Sequence, residues 1–228
     1  MQTLATGCDD YEGHRPDPRT IGPMPKSRTE AFSDGVFAIA ITLLIIEVRV
    51  PSSRAGDLAG DLAHQWPSYA AYVVSFAIIG VIWVNHHDIF ERITTVDRPL
   101  LFLNLLLLLT VAFLPFPTAL LGEYIRKGDN AHVAAAVYGA NMTLIGLAFI
   151  AMWTYLVRTP SLLAAEVGAE GARRARRAAA IGPVLYGLSI PLAFVSPVAC
   201  LVVYAALALY FGIAFTVSAR DDELTGTH

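Results

Sequence analysis

The residues whose types could do chemistry gather at two places. One is Arg28-Thr-Glu-Ala-Phe-Ser-Asp34 and the other is Trp83-Val-Asn-His-His-Asp88. Asp34 falls about one turn inside an apolar run that opens at Ala31. A carboxylate near a helix start complements the macrodipole. Deeper in a bilayer it costs about 2.5–3.5 kcal/mol at full depth, so it should face protein or water. His86, His87 and Asp88 invite a metal reading, but neighbouring side chains on a helix point about 100° apart. No H-x-x-x-H or H-E-x-x-H spacing accompanies them, and no metal is expected. There is no G-x-S-x-G, no P-loop and no pair of buried carboxylates at helical spacing, so enzymatic chemistry is not expected either. Two chemical readings remain for Asp34, His86 and His87: a polar network joining helices, or a proton relay in a secondary cation or proton-coupled transporter.

The elements that carry these groups must live in lipid. Of 228 residues, 55% are hydrophobic and only 15% are charged, against roughly 25% charged in soluble domains. A spanning helix needs about 20 mostly apolar residues. Six segments qualify: 31–50, 67–87, 99–121, 132–157, 178–196 and 198–218. The last two meet at Ser196-Pro197, where a single long kinked helix is the alternative. Residues 1–27 contain no apolar run, so no cleavable signal peptide is expected and the first segment should target the chain itself. Cys8 and Cys200 lie too far apart in kind and position to form a framework. A net charge of -3 makes nucleic acid an unsuitable partner.

Basic residues set the orientation. With the amino terminus inside, twelve of the sixteen lysines and arginines fall on the cytoplasmic side, leaving Arg49, Arg54, Arg126 and Lys127 outside. Both termini are therefore expected in the cytoplasm of a multi-pass cell-membrane protein. In that orientation the first segment starts, the second ends and the third starts at one depth. Arg28, Ser33, Asp34, Asn85, His86, His87 and Asn104 should converge there, because unpaired polar groups at that depth are costly.

Projected as a helix, Phe32, Val36, Ile39, Leu43 and Ile46 form one stripe, with Gly35 and Thr42 beside it. Periodicity alone leaves this stripe as core, lipid-facing or pore-lining. Pro115 and Pro117 should kink or end the third segment. Asn141 and Thr143 are expected to hydrogen-bond between helices. The alternation of alanine and charge over Ala164–Ala180, with Glu166, Glu170 and four arginines, predicts a solvated or interfacial helix at the cytoplasmic face.

Arg28, Phe32, Ser33 and Asp34 form R-x-x-x-F-S-D, followed by G-V-F-A-I-A-I-T-L-L. This resembles the signature of the transmembrane protein 175 potassium-channel family. Trp83, His86 and His87 as W-x-x-H-H, and Asn104-Leu…Leu-Pro-Phe-Pro-Thr118, resemble its bacterial branch. The likeness is strong over about residues 26–121 and weaker beyond. It implies an all-α channel of six transmembrane helices per subunit, assembled as a homotetramer, with the first helix of each subunit lining a central pore. The architecture is a non-canonical one that lacks the T-V-G-Y-G filter, which this sequence also lacks.

By position after the F-S-D motif, the family's constriction falls at Ile39, Thr42 (or Leu43) and Ile46. Arg28, Phe32, Ser33, Asp34, Trp83, Asn85, His86, His87 and Asn104 would form the structural polar network. The implied division is a cytoplasmic polar tail (1–27), a six-helix channel domain (28–218) and a second cytoplasmic tail (219–228). The implied partners are membrane lipid, other copies of the chain, and permeant potassium and other monovalent cations, with no cofactor. A structural or regulatory membrane subunit without transport is a further alternative.

Overall fold

The structure, a computed structural model, describes the backbone of residues 26–51 and 56–225 and the side chains as far as Gly212, Ala169 apart. Cys8, Arg15, Arg19, Arg54, the Arg220 side chain and most of the amino-terminal tail lie outside that description. Among the described residues, nine α-helices follow one another: α1 (Lys26–Leu43), α2 (Leu58–His64), α3 (Trp66–Glu91), α4 (Arg98–Phe113), α5 (Pro115–Tyr124), α6 (Asp129–Arg158), α7 (Gly168–Ala179), α8 (Ile181–Ala193) and α9 (Pro197–Thr225).

Local chemistry sets most of the boundaries. α1 tightens into a 3-10 turn at Leu44–Glu47, and Val48 is already extended, as a β-branched residue favours. Asp57 caps α2 by accepting from the Gly60 amide at 2.9 Å. Asp97 caps α4 through the Leu100 amide at 3.0 Å, with Pro99 in the first turn. Gly128, at φ +57, makes the turn into α6, a conformation that suits a residue without a Cβ.

The third apolar segment is broken at Leu114. Pro115 and Pro117 have no amide hydrogens to donate, so the regular ladder cannot continue through them. The Leu114 amide turns to the Val111 carbonyl at 3.0 Å. The Thr110 carbonyl is taken up from another helix by Asn141 Nδ2 at 3.2 Å. Asn141 thus bonds between helices as expected. Thr143 does not: its hydroxyl donates to Gly139 of its own helix at 2.8 Å, the short-range bond a threonine makes most easily inside a helix.

Among the described residues, four stretches are long and apolar enough to cross a membrane: Lys26–Glu47, Trp66–Glu91, Arg98–Tyr124 and Asp129–Arg158. The segment expected over 178–196 is instead divided between the charged α7 and the 13-residue α8. Pro183 is the reason, since it withholds the amide that would continue the helix past Ala179. α8 and α9 are separate helices with a turn at 194–196 between them, so the single kinked helix is not formed.

α6 is the spine of the fold and touches α4, α5, α7, α8 and α9. It packs very closely on α8. A Cβ on Gly146 would stand 2.6 Å from Pro183 Cδ, and one on Gly139 would stand 3.0 Å from Ser189 Oγ. On the side where α3 ends, residues 92–94 pair with 162–164. The Thr94 amide donates to the Leu162 carbonyl and the Ala164 amide to the Arg92 carbonyl, both at 2.9 Å, around an antiparallel bridge between Ile93 and Leu163.

Candidate functional site

α1 lies against α3 and α4 and is held by one face only. Thr29, Ser33, Phe37 and Ala40 are buried, a spacing of three to four residues that marks a single helical face. On the remaining surface Phe32 is 56% exposed, Ile39 61%, Leu43 41% and Ile46 69%. Val36, the fifth member of the predicted stripe, is half-buried. Thr42 is also exposed, and its hydroxyl reaches the carbonyls of Ala38 and Ile39, each at 2.9 Å. The far end of this face borders an open apolar cleft of about 310 Å3, lined by Leu43, Ile46, Phe113, Pro115, Phe116 and neighbours.

The buried face is secured by a directional chain of hydrogen bonds across three helices. His86 Nε2 on α3 meets Asn104 Oδ1 on α4 at 2.8 Å. Asn104 Nδ2 donates to Ser33 Oγ on α1 at 3.0 Å. Ser33 Oγ then donates to the Thr29 carbonyl at 2.9 Å. Since the Asn104 oxygen can only accept, His86 must carry its proton on Nε2. The imidazole is wedged between Phe37 and Phe90, with ring centroids 5.2 and 4.5 Å away. Ser33, His86 and Asn104 are all essentially inaccessible, so each polar atom left unpaired would carry a desolvation cost.

Asp34 lies on the rim of this seam. Trp83 Nε1 donates to Asp34 Oδ1 at 2.9 Å, joining α3 to α1 a second time. The Trp83 ring stacks on His87 at 5.9 Å. The other expected members of the network turn elsewhere. Asn85 Nδ2 donates to the Val81 carbonyl of its own helix at 2.8 Å. His87 lies 3.3 Å from Glu91, one turn along α3. Arg28 and Phe32 are exposed. The helical rotation between neighbours explains the split: when His86 faces α4, Asn85 and His87 must flank it. Among the described residues, no group of three His, Cys, Asp or Glu side chains is arranged to hold a metal.

A second polar seam escaped the sequence reading. Ser75 Oγ on α3 is 2.8 Å from Thr118 Oγ1 on α5 and 2.9 Å from Tyr138 OH on α6. Tyr138 stacks on Tyr204 of α9 at 4.8 Å. The Tyr204 hydroxyl donates to the Ala135 carbonyl at 3.0 Å and accepts from Ser189 Oγ at 3.2 Å. Its only signal was the presence of Ser, Thr and Tyr inside apolar runs, a signal that names no partner.

A model of the family described as "Endosomal/lysosomal potassium channel TMEM175" matches residues 28–115, which contain most of α1, all of α3 and α4, and both anchoring bonds. A protein named a potassium channel from Streptomyces collinus is 53% identical over 186 residues, covering 81% of this chain and 90% of that protein. A protein named a potassium channel from Chamaesiphon minutus is 41% identical over 189 residues, covering 82% and 93%. In structure, the chain is similar to the crystal structure of a lysosomal potassium-selective channel TMEM175 homolog from Chamaesiphon minutus. That match has a TM-score of 0.75 and 38% identity, over 83% of this chain and 97% of the other. With its F-S-D motif held by Asn104 and Trp83, and with relatives alike over most of their length, this chain belongs to the TMEM175 family.

Proposed function

We propose that the protein is a potassium-permeable cation channel of the cell membrane, in which four copies surround a pore lined by the outward face of α1. The observation that carries this reading is the two-sidedness of α1. One face is locked into the subunit by Ser33 and Asp34, while Phe32, Ile39, Leu43 and Ile46 are turned away from it. A helix anchored so firmly yet leaving an apolar face uncovered suits a position around an axis. The cleft between the end of α1 and the α4–α5 break suits a neighbouring subunit. The relatives named potassium channels supply the ion.

On this reading α3, α4–α5, α6, α8 and α9 complete six crossings with α1, and both termini lie in the cytoplasm. Ile39, Thr42 or Leu43, and Ile46 form successive rings. Potassium gives up its hydration more readily than sodium, so a narrow aliphatic ring favours it, and wetting of that ring governs conduction. At Thr42 the hydroxyl hydrogen is engaged by the helix's own carbonyls, leaving oxygen lone pairs for a partly dehydrated cation. Selectivity by such rings is moderate.

Purified protein in liposomes tests the proposal. A potassium gradient alone should drive potassium flux, with sodium flux smaller but measurable. Flux that appears only with a second coupling ion would identify a carrier, and no flux at all would reject transport.

A further inference from the structure

α7 presents most of its charge on one side. Ala172 is fully buried, with Ala175 and Ala179 half-buried on the same face. Arg173, Arg174 and Arg177 are exposed on the opposite side, and Arg176 flanks them. Only Glu170 offsets this charge within the helix, meeting Arg173 through Nη2 at 3.0 Å.

The height of this face relative to the bilayer follows from packing. His132 Nδ1 lies 2.7 Å from the Ala193 carbonyl. Gly139 abuts Ser189 and Gly146 abuts Pro183. α6 and α8 are therefore antiparallel in a fixed register. α7 precedes α8 with only Ala180 between them, and it too packs on α6. Because Gly146 abuts Pro183 near the start of α8, α7 meets α6 beyond Gly146, toward Arg158. That part of α6 lies toward the end of the membrane-spanning stretch Asp129–Arg158. On the proposed orientation that end of α6 meets the cytoplasmic headgroup layer, with the arginines of α7 beside it.

We propose that the Arg173, Arg174 and Arg177 face of α7 binds the phosphate headgroups of anionic phospholipids in the cytoplasmic leaflet. The proposal rests on the membrane orientation given under Proposed function. Guanidinium groups suit phosphate because their forked donors can engage two oxygens at once. Several arginines side by side at the surface of an anionic leaflet act together.

The test uses full-length protein, stripped of lipid in detergent and titrated with phosphatidylglycerol or phosphatidylcholine, with bound lipids counted by native mass spectrometry. Wild-type protein should retain phosphatidylglycerol preferentially, and less of it as salt rises. R173Q/R174Q/R177Q should weaken phosphatidylglycerol binding by about tenfold or more, since each basic group adds a few-fold at an anionic surface. R173K/R174K/R177K should keep most of the preference, and E170Q should strengthen it. Equal retention of the two lipids by wild type, or an unchanged preference in the glutamine variant, would overturn the proposal. So would inorganic phosphate displacing phosphatidylglycerol at equal concentration. If the glutamine variant fails to fold, the lysine variant, E170Q and the salt series still decide the matter. Potassium flux of wild type in phosphatidylcholine liposomes, measured alongside, reports on the channel reading separately.

Discussion

His86 Nε2 and Asn104 Oδ1 stand 2.8 Å apart in the closed seam between α3 and α4, and the same amide reaches on to Ser33 of α1. One asparagine side chain therefore satisfies one helix with its oxygen and another with its nitrogen. Replacing it by an apolar residue of similar size strands both neighbours. Asn104→Leu leaves the His86 proton and one side of the Ser33 hydroxyl without partners, each at a cost of about 1–3 kcal/mol. The melting temperature in detergent should fall by several degrees. A melting curve that superimposes on wild type would show that the seam does not hold α1.

Trp83 and Asp34 form the outer fastening, and both are partly open to their surroundings. Trp83→Phe and Asp34→Ala should each cost less than Asn104→Leu. Together they should be less than additive, with a coupling of about 1 kcal/mol, as one shared hydrogen bond predicts. A double-mutant cycle on thermal unfolding measures this, and additive effects would show the pair to be uncoupled. On the channel reading, potassium flux should fall in both variants.

Ile39 is the most telling single position for permeation. Ile39→Asn puts an amide where an aliphatic chain meets the axis in the proposed assembly. Such a ring wets more easily, so single-channel conductance should rise and the preference for potassium over sodium should shrink. Unchanged ion ratios in a bilayer recording would remove Ile39 from the constriction.

Gly146 tests the contact between α6 and α8. A Cβ there would lie 2.6–3.0 Å from three atoms of the Pro183 ring, and a ring of that kind cannot swing aside. Gly146→Ala should therefore destabilise by about 1–3 kcal/mol through overpacking. Gly35→Ala is the contrast, since nothing lies within 4 Å of its would-be Cβ. Within the protomer that change should be neutral or gain about 0.5–1 kcal/mol of helix stability. Thermal melts of the two variants side by side give the comparison.

Much of this was legible in the residues. Asp34 one turn inside an apolar run demanded a partner, and Trp83 provides it. Pro115 and Pro117 announced the interruption that separates α4 from α5. Which of Asn85, His86 and His87 would face α4 was not legible, because adjacency in sequence becomes a rotation of about 100° on a helix, and only packing chooses the inward position. The second seam was invisible for a related reason. Ser75, Thr118, Tyr138, Ser189 and Tyr204 are spread over five helices, and no periodicity links side chains so distant in sequence. The division of the fifth apolar segment was missed because Ala178–Ala180 read as a continuation of the apolar run, while Pro183 ends it from within.

The short backbone pairing of residues 92–94 with 162–164 also bears on biogenesis. A ribosome threading this protein into the bilayer delivers the loop after α3 some seventy residues before the segment that pairs with it. Until Leu162 and Ala164 emerge, the Thr94 amide and the Arg92 carbonyl lack their eventual mates. α1, α3, α4 and α5 can thus be laid down early, yet this corner of the subunit closes only once α6 has been synthesised. Folding of the bundle accordingly has a built-in order, in which this corner waits for the chain that follows α6.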